Sequence, residues 1–330
     1  MNSLTRTLAS LAAATLTCTA LVALPATPAA AAPPAGYTHP ADACPVTVTG
    51  GVEGRDYYFA SETWTRNPGS PVTSTLKKLV ICSSTPLTLS TGGATVDATV
   101  WIEAGTQASI TLDGVDIASH VPFTIERNRD AAGNSVDPKT SVHITLAAGS
   151  ANRLEAAASA YAPGIRCGED TVLVIDDDVT NVDVDGAPVD VTGGRIKEGT
   201  VYVDRDGAVR TAGADGPTTN ISNLESRNPG SLEVQGGYLC AAIGGSDWET
   251  TGEMTFNGGS ITARAVGDGT YGFGAGIGGS HGGHGTTEDT WITFNGGTVT
   301  AWASYHGAGI GGGGPSYTTA GSTSRENNYR

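Results

Sequence analysis

The chain is short of positive charge. Eighteen lysines and arginines stand against 33 aspartates and glutamates, for a formal net charge of −15. It has no basic tract and no interleaving of basic with aromatic residues, which excludes nucleic acid and anionic lipid as expected partners. After the first two dozen residues no apolar run approaches the roughly 18 residues that a membrane-spanning helix needs. Helical periodicity is also missing beyond that point. What is present is 47 glycines, many threonines and a low charge density, a composition that suits an extracellular, sheet-rich protein and leaves room for calcium.

The beginning of the chain reads as an address. Arg6 follows a short polar start, Leu8 to Leu24 is apolar or small, and PATPAAAAP offers small residues to a peptidase, so residues 1–31 are expected to be a secretory signal and the mature protein to be secreted. Cys18 is preceded by TLT, a poor lipobox, so lipid attachment is not expected. Four cysteines follow the leader: Cys44, Cys82, Cys167 and Cys240. An even number in an exported chain predicts two disulfides with three possible connectivities, of which neighbour pairing, Cys44 with Cys82 and Cys167 with Cys240, is the expectation. The alternative is four buried thiols acting as small hydrophobes.

The remaining 300 or so residues repeat themselves. CAAIGGSD, GAGIGGSH and GAGIGGGG place Ile243, Ile277 and Ile310 at spacings of 34 and 33 residues, a structural period. EMTFNGGSITARA at Glu253–Ala265 returns as WITFNGGTVTAWA at Trp291–Ala303. Met254, Phe256, Ile261 and Ala263 alternate with polar residues, as do Ile292, Phe294, Val299 and Ala301, which is the two-residue period of strands buried on one face. Asn-Gly-Gly breaks each phrase with residues that tolerate a bend.

A stack of hairpins would use similar signals. The third apolar segment in every unit, and the recurrence of whole units in register, favour a single-stranded right-handed parallel β-helix, an all-β solenoid. Val189–Asp204, Leu87–Val100, Ser109–Arg127, and the stretches around Ile144, Leu154, Ile165 and Ile175 read as fainter copies. In such a solenoid the repeated isoleucine points inward onto its counterpart and the glycines fit a crowded corner. The GxGxxG spacing inside these phrases would mark a dinucleotide site only within a βαβ unit, and no helix follows. The expected organisation is a strand-rich cap over 32–86, the β-helix over 87–314 and a polar tail over 315–330.

Phrases such as ITLDGVDI, APGIRCGEDTVLVI, MTFNGGSITARA and GAGIGGG resemble the repeats of secreted bacterial right-handed β-helix proteins described as carbohydrate-binding-domain-containing or cell-surface proteins. The resemblance spans roughly 87–314. It implies a β-helix that acts on or binds carbohydrate, and it fixes no catalytic residue. Lyases, polygalacturonases and fructan-processing enzymes share the fold by analogy alone. The polar tail supplies no evident strand or helix to cap the last repeat, so either a shortened chain or a partner or self-association at that end is expected.

Function is sought on corners and outward positions. Trp248, Trp291 and Trp302, with Arg264, are candidates for binding an extracellular polysaccharide, because sugar rings stack on indole while their hydroxyls find polar partners. Its acidic or furanose type is only what the resemblance in fold implies. Two corner loops hold Asp247 and Glu249, then His281, His284, Glu288 and Asp289. The four carboxylates are the candidate catalytic groups, since hydrolysis of a glycosidic bond uses a pair of them. Asp176, Asp177 and Asp178, with Asp183, Asp185 and Asp190 nearby, are candidate calcium ligands without EF-hand spacing. Two readings stay open: a glycoside hydrolase or polysaccharide lyase, and a non-catalytic carbohydrate-binding or surface protein.

Overall fold

The computed structural model describes residues 34–65, 73–178, 191–192, 195–196, 198–203, 209–213, 229–267, 273–282 and 290–314. In it the alternating segments become three sheets, which the chain visits in turn as a right-handed parallel β-helix. The first sheet takes Leu87–Ser90, Gln107–Leu112, Thr140–Leu146, Thr171–Asp177, Glu253–Phe256 and Ile292–Phe294. Thr95–Val96, Asp116–Ser119, Ala151–Ala156, Ser231–Gln235, Ser260–Arg264 and Thr298–Trp302 form the second. The third holds Thr99–Ile102, Phe123–Ile125 and the two-residue strands at Ile165, Ile243, Ile277 and Ile310. Among the described residues there is no helix long and apolar enough to cross a membrane.

Register follows the hydrophobic pattern. In the third sheet Val100, Phe123, Ile165, Ile243, Ile277 and Ile310 stand in one inward row. In the first sheet Leu87, Ile110, Ile144, Ile175, Phe256 and Phe294 do the same. The rings of Phe256 and Phe294 stack at 4.9 Å and 10°, so the two TFNGG phrases face one core from the same side. Each large aliphatic side chain so buried contributes about 1.5–3 kcal/mol. In the final described coil the same positions are open, with Phe294 41% and Ile310 44% exposed.

The repeated glycine phrase is a pinch in the backbone. The N–H groups of Ala241, Ala275 and Ala308 donate to the carbonyls of Gly245, Gly279 and Gly312, so the chain nearly meets itself on either side of each inward isoleucine. Gly278 has φ +131°, and a Cβ there would lie 2.0 Å from the carbonyl oxygen of Gly311 in the next coil. Only glycine fits. The asparagines of the TFNGG phrases bond to one another along the corner between the first and second sheets. Asn295 Nδ2 donates to Asn257 Oδ1 at 2.9 Å, and Asn257 Nδ2 donates to Asp176 Oδ2 at 3.3 Å, which makes a side-chain ladder.

At the N-terminal end, Thr47–Thr49 pairs antiparallel with Leu87–Ser90, and the hairpin Tyr57–Thr65 with Thr73–Ile81 starts the third sheet. Asp56 fastens this end: it is buried and accepts from Val52 N–H, Arg55 and the Thr85 hydroxyl.

Two expectations are corrected here. The described strands within Val189–Asp204 do not join the three sheets of the solenoid. Val191–Thr192 pairs antiparallel with Arg195–Ile196, Val201–Val203 pairs antiparallel with Val209–Thr211, and the second sheet passes directly from Ala151–Ala156 to Ser231–Gln235. Here the short strands on either side of the glycine pair in the sequence are antiparallel partners.

The expected disulfides are also absent. Cys44, Cys82, Cys167 and Cys240 are free and buried. Register separates the second pair: Cys167 N–H bonds to Gly244 O on the chain leaving the third sheet, whereas Cys240 lies on the chain entering it. Cys167 donates to Glu253 O and accepts from the Thr171 hydroxyl, and Cys82 donates to Arg55 O. Burial pushes the Cys44 thiol up to about 11 and those of Cys82 and Cys167 up to about 12.

Candidate functional site

The corner where the third sheet turns into the first gathers the densest chemistry among the described residues. Ile165 points inward, so Arg166 must point outward, and its neighbour in the next coil is Gly244, which has no side chain. The guanidinium therefore has a clear path across the coil to the loop 245–252. There it meets Glu249, donating from Nε to Oε2 and from Nη2 to Oε1, both at 2.9 Å. Arg127 Nη1 stands 3.3 Å from Glu249 Oε1, and Ser246 N–H donates to Oε2 at 3.0 Å. The carboxylate occupies the space over Gly168, where a Cβ would lie 2.2 Å from Oε1. Any other residue at 168 would evict it.

Burial pushes the Glu249 carboxyl up, but the Arg166 hydrogen bonds, the Arg166 charge, Ser246 N–H and the Arg127 charge outweigh it, and the group stays ionised below the usual range. Both of its oxygens are engaged. It has no proton to give at neutral pH, so its role in the site is to fix the two arginines.

Around this anchor lies a cleft of about 230 Å³ lined by Arg127, Arg166, Glu169, Asp247, Trp248 and Glu249, among others. Arg129 bonds Asp170 at 3.0 Å and Glu169 at 3.3 Å, closing one side. On the other, Asp247 Oδ1 is 3.0 Å from His281 Nδ1. Trp248 stands above, 61% exposed, with a backbone φ of +64° that L residues rarely adopt. Its N–H donates to His281 O at 2.9 Å, and its indole meets the His281 ring edge-on at 4.8 Å. The indole is thus held out into solvent by the chain itself.

The other sequence candidates scatter. Trp291 is exposed at the entry to the first sheet, its carbonyl accepting from Met254 N–H. Arg264 and Trp302 are cross-strand neighbours on the second sheet, the guanidinium 4.6 Å over the indole, away from the cleft. Glu288, Asp289 and His284 lie outside the described residues, as do Asp183, Asp185 and Asp190.

Asp176 and Asp177 are consecutive on one strand and face opposite sides. Asp177 takes the inward position beside Leu146 and accepts from Gly230 N–H at 3.0 Å, while Asp176 joins the asparagine ladder. Asp178 is exposed at the strand end. The three therefore do not converge, and among the described residues no group of three or more His, Cys, Asp or Glu is placed to hold a metal.

Sequence reasoning missed Arg127, Arg166 and Glu169. Laying IRCGED over IGGSDWE would have placed Glu169 and Asp170 next to the Asp247 loop.

The fold is a right-handed parallel β-helix, an architecture consistent with β-helix proteins that often act on or bind carbohydrate, and a fold by itself fixes no activity. Comparison with known proteins finds no family model, no curated protein and no solved structure that matches the chain.

Proposed function

We propose that the protein is a secreted carbohydrate-binding β-helix that takes an extracellular polysaccharide at the corner cleft. The observation that carries this reading is Trp248, a large apolar ring held exposed by a left-handed backbone beside fixed carboxylates and guanidinium groups. Sugar rings present an apolar face to indole and hydroxyls to such charges. The charges at the corner also bear on the polymer. Arg127, Arg129 and Arg166 are each engaged by a carboxylate, so none of these three cations is left over for a uronate, and a neutral glycan fits better than the acidic one expected from the fold.

Cleavage of the bound glycan is a second reading, supported by the Asp247–His281 pair with Glu169 lining the same cleft. Glu288 and Asp289 remain candidate carboxylates for that reading. A panel of neutral and acidic glycans, scored for binding, for new reducing ends and for unsaturated products, separates the readings. Binding without product, weakened about tenfold or more by Trp248→Ala, supports the binder. Released oligosaccharides support the enzyme, and no interaction with any member overturns both.

A further inference from the structure

The outer face of the first sheet carries a second feature, a broad, shallow recess of about 660 Å³ bordered by the end of the loop that crosses from Arg127 to Lys139. On its floor Gln107, Ser141 and Val172 stand in one outward row in register. The row continues to Glu253, paired with Val172. One coil further stands Trp291, because Glu253 and Trp291 each precede one of the partners Met254 and Ile292. Asp137, Pro138 and Lys139 form the border, and Lys139 Nζ reaches Glu253 Oε1 at 2.7 Å. The row ends at an indole that is 64% exposed.

This surface has a definite chemistry. An amide and a hydroxyl are followed along the row by the apolar face of valine, the wall adds the Pro138 ring and the Asp137 carboxylate, the wall's Lys139 is neutralised by Glu253 of the row, and an exposed aromatic platform closes the end. Five successive coils set about 4.8 Å apart span about 19 Å, and that step is close to the rise of one residue in an extended β-linked sugar chain. The wall loop joins this recess to the corner, since Arg127 at its start lines the cleft and Lys139 at its end lines the recess.

We infer that an extended run of a neutral polysaccharide lies along this row, parallel to the helix axis, with Trp291 as its terminal stacking platform. The inference rests on the carbohydrate-binding reading of the corner and adds to it a direction, a preference for long chains and a second set of contacts.

The test is calorimetric titration with β-1,4-linked glucose, mannose and xylose series, each from disaccharide to hexasaccharide. Wild-type protein should bind the hexasaccharide of its preferred series about tenfold or more tightly than the disaccharide, as expected when a second set of contacts is engaged on one chain. Ser141→Trp, which fills the recess, and Trp291→Ala should abolish that gain while leaving disaccharide affinity and melting temperature unchanged. Trp248→Ala should weaken both lengths. Disaccharide binding that depends on Trp248 but does not grow with chain length, or a hexasaccharide affinity indifferent to Ser141→Trp, overturns the groove and leaves the corner standing. Failure of all three series overturns the groove, and the corner reading is then judged by the wider glycan panel.

Discussion

Glu249 and Arg166, 83 positions apart, meet through two parallel hydrogen bonds of 2.9 Å each. Glu249 is only 8% exposed, so this fork–fork pair has little water to compete with it.

Removing one partner should therefore be far worse than removing both. Arg166→Met leaves a buried carboxylate short of its main counter-charge and should cost about 3–5 kcal/mol in urea unfolding. The double variant Arg166→Met with Glu249→Leu should recover most of that loss, because no buried carboxylate remains and Arg127 keeps Glu169 as a partner. Equal destabilisation of the single and double variants would show that the two residues do not act as a pair.

The isoleucine row gives a graded prediction. Ile277 is fully buried between Ile243 and Ile310, and Ile277→Ala should cost about 2–5 kcal/mol. Ile310→Ala, at a half-exposed position in the last described coil, should cost about 1 kcal/mol or less. If the two substitutions prove equal in denaturant midpoint, the last coil is covered in solution.

Acid should act in opposite directions on two carboxyl groups of the N-terminal half. Asp56 is held well below the usual carboxylate range by its Arg55 hydrogen bond, against burial and helped by Val52 N–H and Thr85. Its contribution is present above the unfolded aspartate pKa of about 3.9 and is lost as pH falls through its lower folded value. Glu103 is pushed up by burial and by Glu126. Its contribution is full below the unfolded glutamate pKa of about 4.3 and is lost as pH rises through its folded value. Glu103→Gln should accordingly raise the melting temperature at pH 7 and have little effect at pH 4, while Asp56→Asn should lower it at pH 7. A pH-independent effect of Glu103→Gln would contradict this assignment.

The cysteines should be invisible to reagents until the fold opens. In a protein that lacks residues 1–31, a thiol reagent at pH 8 should find none of Cys44, Cys82, Cys167 and Cys240 in the native state and all four in denaturant without reductant. Thiols that appear only after reduction would restore the disulfide expectation.

The repeat phrases made much of this fold legible. Met254 and Phe256 alternate with polar residues because one face of their strand is buried, and the spacing of Ile243, Ile277 and Ile310 follows from stacking one coil on the next. The same logic failed at Val191–Ile196, where a glycine pair between apolar residues is written identically for a bend in a coil and for a hairpin. It failed again for the cysteines, whose parity says nothing about which side of a strand each thiol enters from. Trp248 was legible as an outward aromatic, but Glu249 looked like a free corner carboxylate because its arginine lies three segments earlier.

The sequence by itself therefore determined the coil, its inward rows and the need for glycine beside each isoleucine, since these are local consequences of strand alternation and of one period repeated. Only the tertiary structure decided which corners lie side by side. Gly230 N–H donates to Asp177, and Ser231–Gln235 pairs directly with Ala151–Ala156, so residues some eighty positions apart become neighbours one coil apart. That juxtaposition turns Glu249 into an ionised anchor for Arg166 and leaves Trp248 standing over the cleft, because a carboxylate's chemistry is set by the charges that folding brings within hydrogen-bonding distance of it.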